Sequence, residues 1–209
     1  MKIVLATRNA GKVIELQRIL KEFPGAENIE IVGLEKFPDA PQVEETGNTF
    51  IENALLKAHA IADSTGVPAI ADDSGICVDY LNGAPGIFSA RYSGNGDAAN
   101  NEKLLAALKD VPEDKRGAHF YCAAVFVTPD SFKEKIEIIA EGKFEGVIAQ
   151  AVKGLGGFGY DPLFIPTIQK GEITRTSAEL SAEEKDSISH RGNALRSLVP
   201  KILASELLR

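Results

Sequence analysis

Between Pro68 and Asp79 an apolar run, Pro68-Ala69-Ile70-Ala71, meets two adjacent carboxylates, Asp72 and Asp73. Ser74-Gly75 and a second apolar run, Ile76-Cys77-Val78, follow. That order predicts two strand-like segments meeting at an acidic turn. Side chains alternate across a strand, so Asp72 and Asp73 are assigned different tasks, one facing a cleft and the other propping up the turn. A carboxylate at a strand end beside a glycine suits the binding of a hard cation or the activation of a water. A solvated Asp-rich turn accounts for the same letters, because Asp and Gly favour turns. The choice between the two rests on what the rest of the chain supplies.

The N-terminus supplies an anion site. Ile3 to Ala6 reads as a buried strand running into Thr7-Arg8-Asn9-Ala10-Gly11-Lys12. After it Val13, Leu16, Ile19, Leu20 and Phe23 recur at helical spacing. A polar loop between a strand and a helix start offers backbone N–H groups and the positive end of the helix dipole to an anion. Thr7 and Asn9 add side-chain donors and Lys12 a full charge. The loop lacks the leading Gly and the final Ser/Thr of a Walker A motif. Asn9 acting only as a helix cap, with Lys12 solvated, is the competing reading.

Ile29 to Leu34 is a second strand candidate. Thr49 and Glu52 form a Thr-x-x-Glu capping box, opening a helix with an apolar stripe of Ile51, Ala54, Leu55, Ala58, Ile61 and Ala62. Glu44 and Glu45 precede that helix. Negative charge is favoured there in any case, and the functional reading has one of them join Asp73 around a cation. Gly83 to Gly86 and Ser89 to Gly94 read as a long ordered loop, with Arg91 a candidate anion or ion-pair partner. Asp97 is placed as the cap of a helix running to about Leu108. Phe120 to Val127 and Lys135 to Ala140 read as a hairpin turning at Pro129-Asp130-Ser131, and Lys143 to Gln150 as a further strand.

Lys153-Gly154-Leu155-Gly156-Gly157-Phe158-Gly159-Tyr160-Asp161-Pro162 surrounds aromatics with glycines. Such a backbone can approach a flat ligand closely, and Phe158 is placed to stack on a purine or pyrimidine. A glycine-rich hairpin with its aromatics in the core is the alternative. Leu163 to Pro166 is a short strand and Thr167 to Thr176 a loop. Ser181 and Glu184 make a second capping box. Lys185, His190 and Arg191 lie in a donor-dense stretch, where His190 and Arg191 offer rigid donors to a carbonyl or phosphate oxygen. Leu195, Leu198, Val199, Ile202 and Leu203 make a core-facing last helix, which Pro200 is expected to kink or break.

The bulk properties narrow the class. The 209 residues, 44% of them hydrophobic, suffice for one sizeable core or for two lobes sharing a sheet. The net charge of -7 argues against a broad basic surface for nucleic acid polymers, yet leaves room for a small anion held by a local cluster of donors. Cys77 and Cys122 lie far apart, with no CxxC pair, so free thiols in a reducing compartment are expected rather than zinc ligands. The first strand lacks the apolar length of a signal peptide, and no stretch approaches the roughly 20 apolar residues of a membrane helix. A cytoplasmic protein without a membrane partner is the expectation. Alternating strands and helices followed by more strands predict an α/β fold with a mixed sheet and ligand loops at strand ends. An anion cradle, a carboxylate cluster, a glycine–aromatic loop and a late Lys/His/Arg group are the parts of a nucleoside phosphate hydrolase using Mg²⁺.

Five stretches, LATRNAGKVIEL, EETGNTFIENALLKA, AIADDSGICVDYLNGAPGIFSARYSG, GGFGYDPLF and LSAEEKDSISHRGNAL, carry a family likeness across essentially the whole chain. The sequence resembles the inosine triphosphate pyrophosphatases, also called noncanonical purine NTP or dITP/XTP pyrophosphatases. The resemblance implies hydrolysis of XTP, ITP and dITP to the monophosphate and pyrophosphate, with Mg²⁺, by a homodimer. It also implies a single domain over 1–209, with an elongated mixed sheet flanked by helices and an active-site cleft between two lobes. Thr7, Arg8, Asn9, Ala10, Gly11 and Lys12 resemble the triphosphate-binding loop. Asp73 resembles the catalytic acceptor and metal ligand, Glu45 a second metal ligand, and Ser74 a substrate contact. Phe158, Gly159, Tyr160 and Asp161 resemble the base-binding segment, completed by Lys185, His190 and Arg191. Rival readings are a pyrimidine or modified-nucleotide pyrophosphatase, and a nucleotide sensor that binds without turnover. A Ser74/His190 nucleophile–base pair lacks the GxSxG context.

Overall fold

The computed structural model describes residues 1–167 and 175–205, apart from the side chains of Ala182 and Asp186. Most of the loop expected between Thr167 and Thr176 lies outside the described residues. One six-stranded sheet has the order β2-β1-β3-β4-β5-β6. Its strands are β1 (Lys2–Leu5), β2 (Glu30–Val32), β3 (Ala69–Val78), β4 (Gly117–Val127), β5 (Glu137–Ile148) and β6 (Phe164–Pro166). β1 runs parallel to β2 and β3, whereas β5 and β6 are antiparallel, so the sheet is mixed as expected. The helices are α1 (Ala10–Leu20), α2 (Phe50–Thr65), α3 (Asp97–Ala107), α4 (Ala182–Ile188) and α5 (His190–Leu203).

The chain divides into two compact units. The first comprises Met1–Asp73, Cys122–Gly142 and Arg191–Arg209; the second comprises Ser74–Tyr121 and Lys143–His190. The first unit's core takes Leu16, Ile19 and Leu20 from α1, Ile3, Leu5 and Ile70 from strands, and Leu195, Leu198, Val199 and Ile202 from α5. These are the apolar positions that the 3.6-residue period picks out, facing a sheet whose alternate residues point the same way. The second unit packs Phe120, Phe144 and Phe164 against Ile76, Leu104 and Leu108.

Three expectations need correction. The acidic turn does not exist: β3 runs unbroken for 10 residues through Asp72, Asp73, Ser74 and Gly75. Turn propensity loses here because each carboxylate finds a partner inside the fold, so neither needs solvent. Lys135–Ala140 and Lys143–Gln150 are not two strands but one, β5, whose polar residues Glu141, Lys143 and Glu145 lie on the exposed side of an alternating pattern. Pro200 lies inside α5 and does not end it.

Arg116 closes the second unit at that point through backbone carbonyls. It is 3% exposed and donates to the carbonyls of Leu108, Ile148 and Ala149 at 2.7, 2.8 and 2.9 Å. Three carbonyls at the ends of α3 and β5 are thereby satisfied. Arg116→Ala should lower unfolding free energy by about 3 kcal/mol, the order expected when buried acceptors lose a charged donor. Denaturant titration measures it, and a loss below about 1 kcal/mol would show that water replaces the guanidinium.

Candidate active site

Alternation along β3 separates the two carboxylates as the sequence implied, and each collects its own partners within the first unit. Asp72 takes Lys12 Nζ at 3.0 Å to both oxygens and Arg191 Nε at 3.1 Å. Arg191 also has a long contact with Glu15, 4.0 Å. Burial alone would raise the Asp72 carboxyl, but the Arg191 guanidinium and the Lys12 ammonium outweigh it and hold that carboxyl far below the usual range. Asp72 therefore stays anionic and fixes two cations carried by α1 and α5.

Asp73, 8% exposed, lies in the opposite kind of environment. Its Oδ2 accepts from Asn53 Nδ2 at 3.2 Å, and its Oδ1 is 3.6 Å from Lys57 Nζ. Burial pushes its carboxyl up; Lys57 opposes this and Glu45 adds to it. Lys57 also holds Glu45 at 2.8 Å, so one ammonium lies between two carboxylates. For Lys57 itself, burial works against the charge, but Asp73 and Glu45 prevail and raise its ionisation above the ordinary range. A poised carboxylate and a fixed cation next to each other make Asp73 a candidate base or metal ligand.

The loop that brings in Glu45 is tied down by α2. Thr49 caps the helix, its hydroxyl accepting from Glu52 N at 3.1 Å. The expected reciprocal bond is shifted by one residue: Glu52 accepts from Asn48 N rather than from the cap. Gly47 N–H donates to Asn53 Oδ1 at 2.8 Å, so Asn53 bridges the Glu45 loop to Asp73. A Cβ on Gly47 would lie 2.7 Å from Glu52 Cβ and 2.8 Å from Asn53 Oδ1. Gly47→Ala should therefore displace this loop, costing about 1–3 kcal/mol and most of the turnover of any reaction that needs Glu45 beside Asp73. Thermal unfolding and steady-state kinetics check both effects, and a variant equal to the parent in both would refute the bridge.

In the N-terminal loop Asn9 caps α1: its Oδ1 accepts from Gly11 N at 2.8 Å and Lys12 N at 3.4 Å. Thr7 Oγ1 accepts from Asn9 N at 3.1 Å. Three of the loop N–H groups, those of Asn9, Gly11 and Lys12, are thus already engaged, while the Lys12 ammonium is not solvated but paired with Asp72. Arg8, Ala10 and Gly11 are exposed.

The second unit gathers the glycine–aromatic residues. Phe158 is 62% exposed, and Lys185 Nζ lies 4.4 Å from its ring centroid. Lys185 is also ion-paired with Asp161, whose Oδ2 accepts from Phe158 N at 2.8 Å. Gly157 has φ +75°, and a Cβ there would collide with the Asp161 carboxylate. Tyr160, in contrast, is a core residue: its ring is 3% exposed, and its hydroxyl donates to the Ser89 carbonyl at 2.9 Å. Burial pushes the phenol's ionisation well above its ordinary value. His190 stacks on Phe120, centroids 4.9 Å apart and planes at 13°. The guanidinium of Arg191 is bound to Asp72 in the first unit, so the two neighbours His190 and Arg191 have separate settings. Ser74 follows Asp73 on β3, half-buried.

Asn53 and Lys57 escaped the sequence reading. Their signal was present: a polar residue on the apolar stripe of α2, and a lysine one turn later on the same face. Arg91, read as an anion or ion-pair partner, lies over the Phe88 ring at 5.1 Å. A groove of about 680 Å³ lined by Gln17, Leu20, Phe23 and Ile31 shares no residue with these clusters.

Comparison with known proteins matches residues 3–201 to the Ham1 family. A dITP/XTP pyrophosphatase of Streptomyces coelicolor is 54% identical over 203 residues, 96% of each chain. One from Streptomyces avermitilis is 55% identical over the same length, again 96% of each. Among solved structures, a HAM1 protein from Coxiella burnetii superposes with a TM-score of 0.85 at 39% identity, covering 98% of this chain and 100% of that one. A nucleoside-triphosphatase / dITP/XTP pyrophosphatase from Mycobacterium abscessus gives 0.76 at 46% identity, with 96% and 100% covered. With such likeness over nearly all of its length, in sequence and in fold, this chain belongs to the Ham1 family.

Proposed function

We propose that the protein hydrolyses the triphosphates of deaminated purines, XTP, ITP and dITP, to the nucleoside monophosphate and pyrophosphate. The observation that carries this reading is the division of labour along β3, set in a chain whose relatives at 54% and 55% identity are named dITP/XTP pyrophosphatases. Water attacks the α-phosphorus, the bond to the bridging oxygen breaks, and pyrophosphate departs. Asp73 takes the proton of the attacking water. Lys12 turns from Asp72 to the departing phosphates, and Asp72 keeps its charge covered by Arg191 while it does so. Thr7 to Gly11 frame the polyphosphate, and Ser74 contacts substrate.

The acidic pair fits a hard divalent cation. Lys57 already marks a spot where positive charge is balanced between Glu45 and Asp73. Among the described residues no group of three or more His, Cys, Asp or Glu forms a cage. Mg²⁺ is usually held by one or two carboxylates plus substrate phosphates, which is what Asp73 and Glu45 offer. When bound there it would neutralise charge on the phosphate oxygens.

Base recognition falls to the second unit. Phe158 stacks on the purine, with Gly159, Tyr160 and Asp161 forming its loop. Lys185 and His190 donate to the 6-oxo group of hypoxanthine or xanthine, and Arg191 supports the phosphate side through Asp72. Adenine puts an amino group where these donors expect an acceptor, and unpaired buried donors discriminate strongly. A homodimer working in the cytoplasm, each chain one catalytic domain, completes the proposal; no helix among the described residues is long and apolar enough to cross a membrane.

A pyrophosphate-release assay over ITP, XTP, dITP, ATP, GTP, dUTP and TTP, with and without Mg²⁺, tests the reading. The deaminated purines should be turned over with Mg²⁺ and the others far more slowly. Preferential turnover of dUTP or TTP would transfer the reading to a pyrimidine pyrophosphatase. Tight ITP binding without pyrophosphate would make the protein a sensor.

A further inference from the structure

Asp97 opens α3 where a cap was expected, yet it caps nothing. The cap position is Gly96, without a side-chain bond, and Asp97 Oδ2 instead accepts from the Gly159 N–H at 2.8 Å. One turn further along α3, Asn101 donates from Nδ2 to the Gly159 carbonyl at 2.9 Å. Two side chains of one helix therefore hold both polar groups of the residue directly after Phe158. The Phe158 N–H is itself held by Asp161. The exposed Phe158 ring has little packing to set its direction, and it sits on a loop whose flanking Gly157 and Gly159 take φ of +75° and +60°. Glycines of this kind leave the backbone free unless something outside the loop restrains it. Asn101 is 6% exposed, and its Oδ1 has no hydrogen-bond partner among the described residues. That is a cost an apolar side chain would avoid, so the amide is retained for its other end.

We propose that Asp97 and Asn101 are positioning residues for base recognition, pinning the N–H and the carbonyl of Gly159 from α3 so that the neighbouring Phe158 ring is preset for a flat heteroaromatic base. The proposal rests on Phe158 being the stacking residue of the proposed function. A loop ordered on folding does not have to be ordered again on binding, which is how preorganisation raises affinity without touching ligand. The carboxylate makes the stronger pin, because a charge-assisted bond is roughly twice as strong as a neutral one.

Asp97→Ala, Asp97→Asn and Asn101→Leu in the full-length protein test this, each checked by thermal unfolding. With ITP and Mg²⁺, Asp97→Ala should raise KM about tenfold, the scale of one charge-assisted hydrogen bond, with kcat falling less than threefold. Asn101→Leu should move KM in the same direction by less. Asp97→Asn keeps an oxygen acceptor for Gly159 and should recover most of the loss. Inhibition by the inosine monophosphate product, which carries the base, should weaken in parallel, whereas inhibition by pyrophosphate should not change. An unchanged KM in Asp97→Ala overturns the proposal. So does an equal loss of base-carrying and base-free inhibition, which marks general damage. Should Asp97→Ala fail to fold, Asn101→Leu decides by the same criteria: a raised KM with weaker inosine monophosphate inhibition supports the pin, and an unchanged KM overturns it. A parent chain that binds ITP but releases no pyrophosphate overturns the proposed activity alone; the pin is then judged by calorimetric ITP affinity in the same variants.

Discussion

Asp73→Asn should lower kcat for ITP by about 10³-fold, within the 10²–10⁴ range that a positioned base contributes. The change is nearly isosteric and leaves an oxygen to accept from Asn53, which donates at 3.2 Å in the parent. The fold should therefore persist, with a thermal midpoint near that of the parent. What disappears is the group that can accept a proton and hold a cation. The measurement is pyrophosphate release at saturating ITP, alongside circular dichroism of the same sample. Turnover within tenfold of the parent would remove Asp73 from the chemistry and leave its burial without a catalytic purpose.

Lys57→Met is the second large effect, and here pH gives the diagnosis. The ammonium lies 2.8 Å from Glu45 and 3.6 Å from Asp73. Without it two partly buried carboxylates are left without the cation between them. The Asp73 carboxyl, already raised by burial and held back by Lys57, should rise further. A carboxyl raised on folding binds its proton more tightly in the native state. The variant's stability is then best below the ordinary aspartate value of about 3.9 and falls as pH climbs through the raised native value. Its deficit against the parent should be small at pH 4 and grow to about 2 kcal/mol by pH 7, discounted from the 3–5 kcal/mol of a fully buried broken pair because Lys57 and Glu45 are partly solvated. Denaturant titrations of both proteins across that range read the difference directly. A deficit that shrinks with rising pH would falsify this assignment of charges. Activity should fall with stability, since Asp73 is then protonated over more of the working range.

The legible part of this protein was its periodicity and its punctuation. Leu16, Ile19 and Leu20 announced α1, the last-helix stripe from Leu195 to Ile202 announced α5, and both are buried where the 3.6-residue pattern places them. Caps at Asn9, Thr49 and Ser181 were readable because the bonds that make them are local. The opposite settings of Asp72 and Asp73 followed from strand alternation alone, although the segment was read as a turn. Alternation depends on backbone geometry, not on where the strand ends.

Partners distant in sequence were decided by the tertiary structure. That Asp72 answers to Lys12 and Arg191, 60 and 119 residues away, depends on β3 lying beside β1 and on α5 returning to the first unit. Those pairings converted an expected acidic turn into continuous strand, since a carboxylate with a buried cation has no need of water. Asp97 was read as a cap because Asp before a helix usually is one; only the approach of Gly159 gave its oxygen a better donor. The sequence by itself determined which residues carry charge, which faces are apolar and where helices begin, because those depend on neighbours within a turn. Which charge meets which was left to chain crossings, whose energies come from burial and pairing across many residues of intervening chain.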